Sequence, residues 1–258
     1  GVDFYNFGFS IMFEPALYKA QYKYSGIKQY INFPMPQPLF ERTSKMYPTY
    51  NMAIPDQFRI DQFIKEFDEK WIEGQEKMPA FMTVIIPNDH GAGDRPEAGY
   101  PFRESYMADN DLAVGRIVEY LSGTPYWENM LIVITEDDAQ NGVDHIDAHR
   151  SILMLISPWV KKDYVSHFHY SFGSLFKTFW NILGMPYLNQ YDAGATDLSD
   201  FFTSTPDYTK YNALNIDARI FNPQKALDPF DESFDWKALE ESPQIDNVED
   251  MARESKDQ

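Results

Sequence analysis

Ala80-Phe-Met-Thr-Val-Ile-Ile86 runs straight into Pro87-Asn-Asp-His90-Gly-Ala-Gly93. An apolar run that stops at Pro, Asn, Asp and Gly describes a buried strand breaking into a polar loop. Met130-Leu-Ile-Val-Ile134, ending in Thr135-Glu-Asp-Asp138, repeats the pattern. Ser151-Ile-Leu-Met-Leu-Ile156, ending in Ser157-Pro158, repeats it again.

Helical stripes stand around these strands. Ile60, Phe63, Ile64, Phe67 and Trp71 mark one side of a helix, with Asp56 as its cap and Gly74 as its stop. Val114, Ile117, Val118 and Leu121 mark a second, entered at Asp109-Asn-Asp111 by an N-cap and closed by Gly123. Phe172, Leu175, Phe176, Phe179 and Leu183 mark a third, closed by Gly184 and Pro186. Strands alternating with helices predict an α/β fold, a mainly parallel sheet with helices on both faces. The opening Val2 to Phe13 reads as extended and aromatic.

The 258 residues hold 22 Lys and Arg against 40 Asp and Glu, a formal net charge of −18. Such a charge repels phosphate backbones and anionic lipid, which argues against a nucleic-acid or membrane-surface binder. Apolar residues at 43% suffice for a sizeable core, so disorder throughout is excluded. There is no Cys, hence no disulfide and no thiolate metal site. No apolar run approaches the roughly 18 residues of a membrane helix. Residues 1–223 read as one domain and 224–258 as an acidic peripheral tail, its start pinned by Phe230, Phe234, Trp236 and Leu239.

Ligands of open parallel sheets gather at the carboxyl ends of the strands. Those ends carry Asn88-Asp89-His90 and Glu136-Asp137-Asp138, and His145 and His149 follow the second. Carboxylates crowded with imidazoles repel one another until a divalent cation (Zn, Mn, Fe, Mg or Ca) relieves them. A solvated acidic loop is the plain alternative. For Asn88-Asp89-His90 the alternatives are a simple turn or a second set of ligands and phosphate donors on the same rim. His167 and His169, just before the third helix, read as structural.

Pro87-Asn-Asp-His90, Ala108-Asp-Asn-Asp-Leu-Ala113, the stretch Thr135-Glu-Asp-Asp-Ala-Gln-Asn-Gly-Val-Asp-His-Ile-Asp-Ala-His-Arg150, Ile156-Ser-Pro158 and Asn189-Gln-Tyr-Asp192 occur in that order. Together they resemble the carboxyl-terminal half of bacterial phosphoesterases of the phospholipase C and acid phosphatase type, in the alkaline phosphatase superfamily. The resemblance covers about residues 1–200, and the long middle motif is its most specific part. It implies an α/β/α sandwich and hydrolysis of a phosphate ester by a hydroxyl nucleophile with metal help. By position it implies Asp137 and Asp138 as metal ligands. His90, His145 and His149 would be catalytic groups around the phosphoryl oxygens. It also implies a secreted or periplasmic setting and, in many relatives, a preceding β-propeller.

No segment resembles the half that bears the nucleophile, and Ser10 and Ser25 stand in the wrong context. The chain is therefore expected to lack that amino-terminal half and to be inactive alone. An apolar edge left uncovered, with Val2 to Phe13 near it, should pair with a second copy. Two readings compete: a degenerate metal- or phosphate-binding module, and a secreted carbohydrate-binding domain using exposed aromatics.

Overall fold

The strand expected after Ala80 forms, and its partner is the opening segment. β1 (Phe4–Phe7) and β4 (Phe81–Val84) run parallel, with Phe4 opposite Phe81 and Phe7 opposite Val84. The computed structural model describes residues 1–8, 11–13, 29–31, 36–48, 50–137 and 151–228. β2 (Ile11–Phe13) and β3 (Gln29–Ile31) pair antiparallel. The chain divides into two compact units, residues 1–117 with 212–258, and residues 118–211.

In the first unit, after the short α1 (Gln37–Glu41), α2 (Asp56–Phe67) lays down the predicted stripe. Ile60, Phe63 and Phe67 are buried and Ile64 is half-buried. A π-helical turn, Asp68–Ile72, continues α2 and carries Trp71 into the same core. The entry differs from expectation. The residue before the first turn is Pro55, and Asp56 is already helical.

Phe7 is the centre of this core. Its ring meets those of Tyr5, Tyr47, Phe63 and Trp71 at 4.8–6.2 Å, edge to face. Within the opening segment Asn6 and Phe7 are thus packed inside, Phe7 with no exposed surface, while Phe4 and Tyr5 are half-buried. Buried Asn6 ties β1 on both sides, donating to Thr43 Oγ1 and accepting from Thr83 Oγ1. Gly8 follows at φ 92°, where a Cβ would lie 2.5 Å from Ile85 Cγ2, so only glycine lets the chain turn there. Phe7→Ala should cost about 3–5 kcal/mol, the usual price of deleting a buried ring. Urea unfolding followed by tryptophan fluorescence measures it, and a loss below about 1 kcal/mol would show that β1 is not an anchored core strand.

A smaller core gathers Tyr100, Tyr106, Phe221 and Ala226, with the two tyrosine rings stacked at 4.3 Å. Ala226 lies in α6 (Pro223–Leu227), capped by Asn222. The aromatic residues expected to pin the tail, Phe230, Phe234, Trp236 and Leu239, lie outside the described residues.

α3 (Ser105–Gly123) runs from the first unit into the second. Ile117, Val118 and Leu121 are buried as the stripe predicts. Its start is earlier than the cap reading allows, so Asp109, Asn110 and Asp111 sit inside the helix.

In the second unit β5 (Ile132–Thr135) and β6 (Leu153–Ile156) pair antiparallel, Ile132 opposite Ile156 and Thr135 opposite Leu153. This corrects the expectation of a mainly parallel sheet. Among the described residues one strand pair is parallel and two are antiparallel. An apolar run records burial, not direction. α4 (Phe172–Leu183) opens with a capping box between Ser171 and Ser174 and closes at Gly184, φ 65°. Its burial departs in part from the expected stripe: Leu175 is buried as expected, together with Gly173, Ser174 and Thr178, while Phe172 and Phe176 are exposed and Phe179 and Leu183 half-buried. Gly173 sets this: a Cβ there would come within 2.8 Å of Tyr191 O, so the small side of the helix is the side that packs closely on α5 (Gln190–Gly194).

Candidate functional site

Pro87-Asn-Asp-His90 forms one 3₁₀ turn leaving β4. Pro87 and Asn88 point inward, and His90 is exposed at the end of the turn. The His90 ring meets the edge of Tyr50 at 5.4 Å.

What holds the turn is a buried polar network. Asn88, fully buried, donates from Nδ2 to Asp109 Oδ2 at 2.6 Å and to Ile54 O at 3.2 Å. Its backbone N–H donates to Asp56 Oδ2 at 3.0 Å. Arg59, also fully buried, donates to Asp56 Oδ1 at 2.9 Å and to the carbonyls of Pro48, Asn51 and Ile54. Asn110 reaches from α3 to Asp56 Oδ2 and Ile86 O. Asn88 is therefore committed to the scaffold, which removes it from the expected ligands and phosphate donors.

Asp109 is the hub. It accepts from the backbone N–H of Asp56 at 2.9 Å and of Gln57 at 3.3 Å, from Gln57 Nε2 at 2.9 Å, from Asn88 Nδ2 and from Tyr100 Oη at 2.7 Å. Those two backbone donors are the orphan N–H groups of the first turn of α2, which Pro55 cannot cap. Asp109, from inside α3, is thus the N-cap of a helix that starts 53 residues earlier. Its place ahead of the second stripe predicts a cap for α3, whereas the helix it caps is α2.

Asp56 is paired with the Arg59 guanidinium, and the Asp109 carboxylate lies near enough to repel it. Burial pushes the Asp56 carboxyl up to about 7, opposed by Arg59, reinforced by Asp109, and opposed again by hydrogen bonds from Asn110 and from Asn88 N–H. Burial also raises the Tyr100 hydroxyl far above the ordinary phenol, with Asp109 adding to it. Tyr100 is a fixed donor at all working pH values.

The other predicted residues belong to the second strand end. Asp137 is exposed, two residues beyond β5. Glu136 O accepts from Ser151 Oγ at 2.9 Å, which ties the end of β5 to the approach to β6. Asp138, His145 and His149 lie outside the described residues. His90 belongs to the first unit and Asp137 to the second. Among the described residues no group of three or more His, Asp or Glu stands ready to hold a metal. His167 and His169, read as structural, are both exposed, and the cap ahead of α4 is Ser171 instead. Asn189 and Asp192 of the motif Asn189-Gln-Tyr-Asp192 form a capping box at α5, and Asp192 also accepts from Trp180 Nε1 at 2.8 Å. No helix of the described residues is long and apolar enough to cross a membrane.

No model of a known protein family matches the chain. Comparison with curated proteins likewise finds no match.

Proposed function

We propose that the chain carries the metal- and phosphate-binding rim of a metal-dependent phosphoric-ester hydrolase, built on an alkaline phosphatase-like α/β/α sandwich. The observation that carries the reading is the Thr135-to-Arg150 stretch, with five carboxylates and two imidazoles, leaving the end of β5 with Asp137 exposed there. The donor set fits a divalent cation, because carboxylate oxygen and neutral imidazole suit hard and borderline metals. Asp137 and Asp138 would hold it, and when bound it would draw charge from a phosphoryl oxygen. His145 and His149 would donate to the remaining oxygens or to the leaving group, and His90, in the first unit, would be a phosphate donor. The turn that presents His90 has the rigidity this needs, since Asn88 and Asp109 lock it from beneath. No segment resembles the half that bears the nucleophile, and a metal rim without a nucleophile binds phosphate without forming a covalent phosphoryl intermediate. The secreted or periplasmic setting rests on the resemblance alone.

Two measurements test this. Elemental analysis of the chain loaded with Zn, Mn, Fe, Mg or Ca in turn should find one of these bound, and Asp137→Asn with Asp138→Asn should remove it. Metal content unchanged in the double variant would sink the reading. An aryl phosphate and a bis-aryl diester should not be turned over by these 258 residues at ordinary enzyme rates, because losing a nucleophile commonly removes about 10⁴–10⁶ of the rate. Turnover that Asp137→Asn abolishes would place the nucleophile within them, with Ser10, Thr83 and Thr135 the first to test.

A further inference from the structure

Gly91, next after His90, has a left-handed backbone at φ 71°. A Cβ built on it would lie 3.3 Å from Arg103 Nε and 3.6 Å from Arg103 Cγ. The Arg103 side chain therefore runs across the bare face of Gly91 and brings its guanidinium beside the His90 turn. Arg103 comes from the segment just ahead of α3 and is exposed. Its side chain makes no hydrogen bond or ion pair among the described residues. That is unusual company in a chain where acids outnumber bases 40 to 22. Glu104 is its acidic neighbour in sequence and forms no ion pair with it.

Both supports are fixed. The turn is locked by Asn88, as described above. The Arg103 segment is held by Ser105, whose hydroxyl accepts from Phe102 N–H at 3.0 Å and donates to Ile220 O at 2.6 Å. Tyr106, next along, is fully buried. Arg103 thus holds a guanidinium with no anion of the protein's own across the turn that carries the exposed His90.

We propose that Arg103 is a substrate-binding residue: with His90 it grips the phosphoryl group, and Gly91, whose φ of 71° favours glycine, sets the turn that the Arg103 side chain lies across. Arg103 contributes a permanent charge and a planar fork of N–H donors, and His90 adds one further donor. Naming the anion as a phosphoryl group rests on the hydrolase reading; the grip on an oxyanion does not.

The test is titration of the full chain with inorganic phosphate, followed by the imidazole NMR signal of His90, assigned from His90→Gln. Phosphate should shift that signal saturably. Arg103→Ala should weaken binding about tenfold or more, as loss of a charge-assisted pair does, and Arg103→Lys should restore part of it. Gly91→Ala should weaken binding too, although Arg103 is still present. Arg219→Ala, at an exposed arginine paired with Asp217, should leave binding unchanged. No shift of the His90 signal at tens of millimolar phosphate overturns the grip. A shift indifferent to Arg103→Ala also overturns it and leaves the hydrolase reading standing. A shift that depends on Arg103, with metal content unaffected by Asp137→Asn and Asp138→Asn, upholds the grip and sinks the hydrolase reading.

Discussion

Asp109→Ala should destabilise the first unit by about 3–5 kcal/mol, because leaving each buried donor without a partner costs about 1–3 kcal/mol. Five donors converge on this carboxylate, from Asp56, Gln57, Asn88 and Tyr100, and all four residues are essentially without exposed surface. Alanine leaves them facing a hole no other acceptor fills. Part of the loss is returned, since removing Asp109 relieves its repulsion of Asp56. Asp109→Asn keeps the shape but turns an NH₂ group towards donors, so it should recover only part of the stability. Asp111→Ala, two residues away and exposed, should change stability by less than about 0.5 kcal/mol. Urea unfolding of the three variants checks the ranking. An Asp109→Ala protein within about 1 kcal/mol of the parent would mean the network is replaceable by water.

The same network should make stability fall as pH rises from about 4 to about 7. The Asp56 carboxyl titrates near 3.8 in the unfolded chain and at about 7 when folded. The folded state thus holds a proton the unfolded state has released, and the extra stability is complete below the lower value and lost through the upper one. One such proton gives a slope of at most about 1.4 kcal/mol per pH unit. The groups facing Asp56 are Arg59 and Asn110, Asn88 on the turn, and Asp109 on α3. Asp207 and Asp217 act in the opposite sense, since their lowered carboxyls lose stability only below the ordinary carboxylate range. Their contribution therefore falls below the window in which Asp56 acts. Asp56→Asn should flatten the slope there, whatever it does to absolute stability by leaving Arg59 without its anion. A parent protein with a flat or rising profile between pH 4 and 7 would show that Asp56 stays ionised in the fold.

The parts of the fold read correctly are those written in local spacing. α2 and the second half of α3 follow their stripes because burying one side of a helix requires apolar residues every three or four positions. α4 has an equally good stripe but buries only Leu175 of it fully, because Gly173, beside the stripe, permits a close approach that Phe172 and Phe176 prevent. Strand direction was not legible at all: Ile132–Thr135 and Leu153–Ile156 are apolar whichever way they run. The site divides similarly. His90 and Asp137 could be placed at strand ends from turn chemistry alone. The roles of Asp109 and Arg103 could not, since each depends on a partner brought near by tertiary folding.

The pairing of β1 with β4 also bears on how the chain is made. Asn6 and Thr83, partners across that pair, stand 77 residues apart in sequence. A ribosome adding about 5–20 residues per second therefore completes the second strand about 4–15 s after the first. Throughout that interval Phe4, Tyr5 and Phe7 have no β4 to lie against, and for most of it they also lack the α2 rings that later enclose Phe7. Production of soluble protein should accordingly depend on what shields this aromatic strand during synthesis, and slowing elongation between codons 8 and 80 should lower the soluble yield even though the finished protein is unchanged.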